Sequence, residues 1–337
     1  MNILPNEHKN KPFERAKKNV SSKQDVVYKE LSFWKDARLR FYQNKGAVLG
    51  MIFIFIIVLF AVLGPLISSH TYKSIETDHI NLPPRIPIIE KIGIFDGESD
   101  GMNVYKENNL ENVYYWFGTD NLGRDIWTRV WVGTRVSLYI AILAVVIDMF
   151  IGIGYGLIAG YIGGKLDSGM QRFIEILSGI PNLVVVTLFV LVFNPGILSI
   201  SLALVITGWI GMSRVVRSQV LKLKELDFIL ASKTLGAKTP TLLFVDLLPN
   251  IFGQVIIMSM FSIPNAIFYE AFLAFIGLGL QPPMASLGVL INDGYKSILV
   301  YPHIIATPVI VLGILMLCFN LVADGLRDAL DPKMKEL

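Results

Sequence analysis

A chain of 337 residues with 53% hydrophobic and only 17% charged side chains falls outside the range of a soluble domain, in which about 25% of residues are charged. It belongs in a bilayer. A net charge of +3 does not point to nucleic acid, and the single cysteine, Cys318, excludes an intrachain disulfide.

Residues 1–25 read as disordered. In 31–42, LSFWKDARLRFY, one helical face carries Leu31, Trp34, Ala37 and Phe41, with Lys35, Asp36, Arg38 and Arg40 largely opposite. This predicts an interfacial helix along the inner leaflet; the alternative is the cytoplasmic end of a long first span. The apolar run at 47–67 follows a long polar tail and exceeds an h-region of ~7–15 residues, so it reads as a retained span. Further runs near 136–162, 173–193, 196–213, 251–279 and 303–323 approach or exceed the ~20 residues that cross a bilayer. Six spans predict an all-α polytopic membrane protein with both termini on one side.

Lys and Arg choose the side. Lys35, Arg38, Arg40 and Lys45 precede the first span, and the 214–250 loop carries Arg214, Arg217, Lys222, Lys224, Lys233 and Lys238, whereas 280–302 has only Lys296. The positive-inside rule places both termini and the 214–250 loop in the cytoplasm. The expected order is a cytoplasmic tail over 1–45, a first span over 46–67, a partly β or irregular extracellular insertion over 68–134, a five-span core over 135–326 and a tail over 327–337. Within the insertion, 81–96 suits short strands and turns, and Trp116, Trp127 and Trp131 read as headgroup anchors or a gate at the outer mouth.

Gly152, Gly156, Gly160 and Gly164 recur every four residues, a ridge on which another helix backbone can approach closely. Without a soluble βαβ unit, the GIGYG run is no dinucleotide fingerprint. No P-loop is present, since Gly164-Lys165 has Ala159 and Leu166 at the other required positions. The four histidines, 8, 70, 79 and 303, are scattered without metal-ligand spacing, and no catalytic set is evident. Two acids fall in apolar runs. Asp148 reads as a hydrogen bond across a helix interface; Glu270 reads either as such a bond or as a pathway group that meets a peptide amino terminus.

Between spans four and five, Phe228, Ala231, Ser232 and Leu235 follow the i, i+3, i+4, i+7 pattern and Gly236 supplies a C-terminal stop. Such a helix is too short to stand alone. A cytosolic partner would hold it and transmit motion through Pro249 into a helix beginning near Asn250; an ordinary amphipathic loop helix is the alternative.

The run ASKTLGAKTPTLLFVDLLPN at 231–250 resembles the cytoplasmic-loop signature of ABC-importer permeases, through Ala231, Ser232, Gly236, Leu248 and Pro249. Leu230 replaces the usual Glu and Asp246 stands where a basic residue is common, so docking would rest on packing. EAFLAFIGLGLQPPMASLG at 270–288, DGLRDALDP at 324–332 and FGTDNLGRDIWTRVWVGTRVSL at 117–138 are similar to the C-type subunit of the dipeptide/oligopeptide permeases. Leu287 departs from a Trp common in that subunit.

The resemblance implies a type I importer fold in a bacterial cell membrane, paired with a homologous B-type permease. It implies two cytosolic ATPases that hold ATP and Mg, a peptide-binding protein outside, and peptide as cargo. The chain itself would bind no cofactor or metal and catalyse nothing. ATPase coupling would fall to Phe228, Ala231, Ser232, Leu235, Gly236, Ala237 and Pro249. Dipeptides, nickel complexes or another small solute are alternative cargoes. A secondary transporter would need midplane ion-coupling acids and an internal repeat, and no repeat is visible; a structural or assembly protein would not need the four blocks.

Overall fold

The computed structural model describes residues 33–99, 101–194 and 196–330; the expected disordered tail, Leu31, Asp331 and Pro332 lie outside them. Helix α1 (Phe33–Gln43) is followed by α2 (Lys45–Ile67), with Asn44 as the cap: its side chain accepts from the Ala47 amide at 3.1 Å. Among its described residues the insertion holds two 3-10 turns (Thr77–His79 and Ile89–Ile92), one α-helical turn, α3 (Val104–Glu107), and one hairpin, β1 (Glu98–Ser99) with β2 (Met102–Asn103). Then come α4 (Ile126–Ile162), α5 (Gly164–Ser178), α6 (Asn182–Phe193), α7 (Ile197–Thr207), α8 (Trp209–Leu223) and α9 (Asp227–Thr234). Finally α10 (Thr239–Thr241) leads through a π-helical stretch into α11 (Leu248–Leu273), followed by α12 (Leu287–Tyr295) and α13 (Pro302–Leu330).

Among the described residues, five helical runs are long and apolar enough to span a membrane: Lys45–Ile67, Ile126–Ile162, Ile197–Leu223, Thr239–Leu278 and Pro302–Leu330. A sixth exists only if α5 and α6 count as one span, and they meet at 75°. The continuous span expected over 173–193 is therefore corrected. Pro181 lacks an amide donor and disfavours helix in Ile180, so α5 stops at Ser178 and α6 restarts at Asn182.

The second span also begins earlier than expected, at Ile126 rather than near 136. Asp125 caps it by accepting from the amides of Trp127 at 3.2 Å and Thr128 at 3.3 Å. Its first turns tolerate Arg129 and Arg135 because both are answered. Asp120 accepts from Arg129 Nη1 and, at 2.8 Å, from Arg124 Nε, while Asp293 of α12 faces both guanidiniums at 3.4 and 3.5 Å. Two acids against two cations leave this buried group neutral. Arg135 Nη2 donates at 2.7 Å to the Ala61 carbonyl, which Pro65 of α2, lacking an amide donor, leaves without its usual helical partner.

The tryptophan expectation needs correction as well. Trp127 and Trp131 are each only 7% exposed and pack on Phe60, whose ring stacks on Trp131 at 5.0 Å. Trp127 Nε1 donates to the Gly64 carbonyl at 2.8 Å, and a Cβ at Gly64 would meet Trp131 at 2.6 Å. These rings fasten α2 to α4 in the interior. The same core takes Ile263 and Ile267 from α11, Leu287 and Leu290 from α12, and Val311 and Leu315 from α13.

Helix α1 is likewise tied to protein: Ala37 and Phe41 are buried beside Ile257, Ala329 and Leu330, while Trp34 stays 54% exposed. Strands expected over 81–96 are reduced to one bridge, Arg85 to Asp96, and the true hairpin lies just beyond. Pro83, Pro84 and Pro87 remove the donors a ladder needs. The insertion is held instead by Leu82, Tyr105 and Tyr115, with Arg85 over the rings of Tyr105 and Tyr114 at 5.1 and 4.5 Å. Burial, then the neighbouring Tyr115, pushes the Tyr105 hydroxyl above its ordinary range.

The last helix continues past 323 to at least Leu330, so Asp324, Arg327 and Asp328 sit within it. Phe33, Trp34, Pro249, Asn250, Arg327 and Leu330 all line one cavity of about 940 Å³. The start of α1, the start of α11 and the end of α13 therefore share one end of the bundle.

Candidate functional site

Helix α9 closes as the sequence requires. Leu235 caps it, Gly236 takes φ +84°, and the amides of Gly236 and Ala237 donate to the carbonyls of Lys233 and Ser232, each at 3.0 Å. This is the two-bond left-handed stop that glycine favours.

What holds the helix is within the chain. Ile229, which the periodicity reading passed over, is 1% exposed and packs in the cluster of Val216, Val220, Leu243 and Leu247. The expected face points the other way: Phe228, Ala231, Leu235 and Gly236 are exposed and Ser232 and Ala237 half-buried. At about 100° per residue, Ala231 lies roughly 160° round the helix from Ile229. Leu235 is 88% exposed, and Phe228 43%, so two large apolar side chains flank Ala231 in the open.

Removing the anchor tests this. Truncating a buried Ile to Ala costs about 2–5 kcal/mol, more than a helix of eight residues can supply by itself. The Ile229→Ala chain is expected to be cut by trypsin at Lys233 at least tenfold faster than wild type, read by gel or mass spectrometry.

The path onward from α9 differs from a helix starting near Asn250. Helical backbone begins at Thr239, and the stretch Leu242–Leu247 is π-helical. Pro249 cannot donate to Val245; the Leu248 amide reaches back to the Leu243 carbonyl, and Asn250 Nδ2 donates to the Asp246 carbonyl at 2.6 Å. Pro249 is thus exposed inside one helical run from Thr239 to Leu278.

Behind α9 stands α8, clamped on α4 by the glycine ridge. A Cβ at Gly152 would meet Met212 Cβ at 2.7 Å, at Gly156 the Ser213 carbonyl at 2.6 Å, and at Gly160 Val220 Cβ at 2.9 Å. Gly164 does not belong to the ridge. Gly163 at φ +71° ends α4, and Gly164, at φ +59° with nothing within 4 Å, opens α5 instead. Two further ties were invisible in sequence: Arg217 grips Asp167 with two bonds of 2.6 Å, and Lys224 Nζ donates to the Gly160 carbonyl at 3.0 Å.

The two membrane acids separate. Glu270 is fully buried and accepts from Ser137 Oγ at 2.7 Å; Ser137 Oγ also accepts from the Leu287 amide at 3.3 Å. The contact is an interhelical bond between α4 and α11, and full burial places Glu270 away from the open cavities, in contrast to the pathway expectation. Glu270→Gln keeps an acceptor for Ser137, so uptake is expected to stay within about twofold of wild type for every cargo length, as measured by flux. Glu270 keeps only its Oε1 without a partner; Asp148 has no hydrogen bond at all among the described residues. Its Oδ1 is buried without a partner, and it lines a cavity of about 250 Å³.

The sequence model of the family described as "Binding-protein-dependent transport system inner membrane component" matches residues 152–336, more than half of the chain. The chain belongs to this family. A second model, the "N-terminal TM domain of oligopeptide transport permease C", matches residues 32–84 of this family member. It is 41% identical over 324 residues to the oligopeptide transport system permease protein OppC of Bacillus subtilis (strain 168), covering 96% of this chain and 97% of that one. It is 43% identical over 329 residues to the dipeptide transport system permease protein DppC of Lactococcus lactis subsp. cremoris, covering 95% and 96%. Among solved structures it is similar to the inward-facing MetNI methionine ABC transporter, with a TM-score of 0.50 and 18% identity over 60% of this chain and 96% of that one. That likeness supports the type I importer fold for the permease.

Proposed function

We propose that this permease forms half of the translocation route of an ATP-driven peptide importer and receives the power stroke through α9. The observation that carries the reading is the arrangement of that helix: Ile229 anchors it from within, and Phe228, Ala231 and Leu235 stand exposed on the far side. A helix held from within, whose uncovered outer face carries Phe228, Ala231 and Leu235 beside Asp227 and Thr234, fits a groove on another protein.

That protein is one of two cytosolic ATPases, which hold ATP and Mg and carry out all hydrolysis. The density of Lys and Arg in the 214–250 loop puts α9 and both termini in the cytoplasm. A homologous permease completes the route, and a peptide-binding protein delivers cargo at the opposite end, where the insertion lies. Leu230, 47% exposed, offers no charge for an ion pair, so docking relies on packing.

The test is reconstitution of the complete complex in proteoliposomes with labelled peptides of graded length. Uptake is expected to require ATP and to cover peptides from two residues upward, since relatives named for dipeptide and for oligopeptide transport match at similar identity. Uptake driven by an ion gradient without ATP would displace the reading in favour of a secondary transporter.

A further inference from the structure

Among the described residues, Glu270 and Asp148 each keep one buried oxygen without a partner, but Asp148 accepts no hydrogen bond at either oxygen and lines a cavity. It is 8% exposed, and Oδ1 is buried with no partner. Gly208 stands against it, so near that a Cβ would lie 2.5 Å from that oxygen, and this close neighbour brings no side-chain donor. A charge at this depth costs roughly 2.5–3.5 kcal/mol on insertion scales. Such a cost persists where a ligand or a solvated route answers it.

The surroundings specify the ligand. The cavity of about 250 Å³ brings Asp148 of α4 together with Asn182, Thr207, Ser262, Asn265 and Tyr269 from three other helical segments. Its lining holds no Lys, Arg or His, so its only fixed charge is negative and its other polar groups are neutral amides and hydroxyls. Asn265 is exposed and Tyr269 half-buried, so the cavity reaches the surface of the chain, and polar groups at this depth face water or protein rather than lipid. An ammonium group, with three donors and one positive charge, matches an unpaired carboxylate ringed by neutral acceptors. The volume equals about eight water molecules at ~30 Å³ each, room for an amino terminus and its first residue.

We propose that Asp148 is a recognition point within the membrane for the amino-terminal ammonium of a peptide crossing beside this chain, with Asn265 and Tyr269 as neighbouring hydrogen-bonding groups. The proposal rests on the peptide-import reading and names the group on the cargo that the route selects.

A thiol in the cavity wall tests it. In the assembled complex carrying Cys318→Ala and Ser262→Cys, the rate of labelling by a water-soluble thiol reagent is followed with and without peptide. A tripeptide with a free amino terminus is expected to slow labelling about tenfold, and its N-acetylated counterpart at equal concentration to leave the rate unchanged. Adding Asp148→Asn is expected to abolish the protection, and Asp148→Glu to retain part of it. Equal protection by both peptides, protection that survives Asp148→Asn, or a thiol that never reacts would overturn the assignment. The last is the result expected if a cation of the partner permease fills the cavity. ATP-driven uptake by the unsubstituted complex is measured separately, so a failure of peptide import is distinguished from a failure of this site.

Discussion

Replacing Gly156 with leucine is expected to cost this protein at least about 3 kcal/mol, enough to lose a monodisperse complex in detergent. A new Cβ would sit 2.6 Å from the Ser213 carbonyl and 2.7 Å from Val216 Cβ. One of these is backbone and the other a β-branched side chain, so neither can swing away, and α4 and α8 must part. Overpacking alone costs about 1–3 kcal/mol, and separating the helices also forfeits contacts at Gly152 and Gly160, each small but summed along the ridge. The gain in helix propensity from removing a glycine, under about 1 kcal/mol, does not offset this. Gly154 lies on the same helix with nothing within 4 Å, so Gly154→Leu is the control. The thermal aggregation midpoint of the detergent-solubilised complex should fall sharply for the first variant and hardly move for the second; equal behaviour would mean the ridge is not a close contact.

The ridge was legible because spacing on one helix is a local property. Its end was not. Gly164 continues the four-residue rhythm, yet the positive φ of Gly163 turns the chain out of the helix before that position is reached. The same division runs through the rest of the molecule. Composition and apolar runs place the spans, while the start of α4 was hidden because Arg129 and Arg135 read as polar until Asp120 and the Ala61 carbonyl are seen beside them. Tryptophans near a span end suggest anchoring, and only the opposing Gly64 and Phe60 reveal that Trp127 and Trp131 are interior. Asp148 and Glu270 look alike as acids in apolar runs. Which of them meets a hydroxyl and which meets a cavity depends on the rotation of α4 against α7 and α11, and this is set by contacts distant in sequence. Ile229 escaped for a related reason: a short helix with apolar residues on several sides does not declare which one points inward.

Replacing Ala231 with glutamate is expected to abolish uptake and lower cargo-stimulated ATP hydrolysis, while the chain still inserts in the membrane. Ala231 is exposed and about 160° from the anchoring Ile229, so the longer side chain fits the isolated protein and glutamate keeps good helix propensity. The penalty falls at the docked surface. An apolar groove that accepts Phe228, Ala231 and Leu235 would have to bury an unpaired carboxylate, which costs several kcal/mol. Each 1.4 kcal/mol is tenfold in an equilibrium constant, so about 3 kcal/mol reduces docking more than a hundredfold. Gly236→Leu acts differently. Its Cβ meets nothing within 4 Å, but the φ of +84° strains an L-residue by about 1–2 kcal/mol and misdirects the exit toward Pro249. The order of effects in a reconstituted complex should therefore be Ala231→Glu strongest, Gly236→Leu intermediate and Ala231→Ser near wild type, read as uptake and as stimulated hydrolysis. Wild-type coupling with glutamate at this position would remove α9 as the docking element, because Ala231 stands opposite the anchor and a partner seated on that face must touch it.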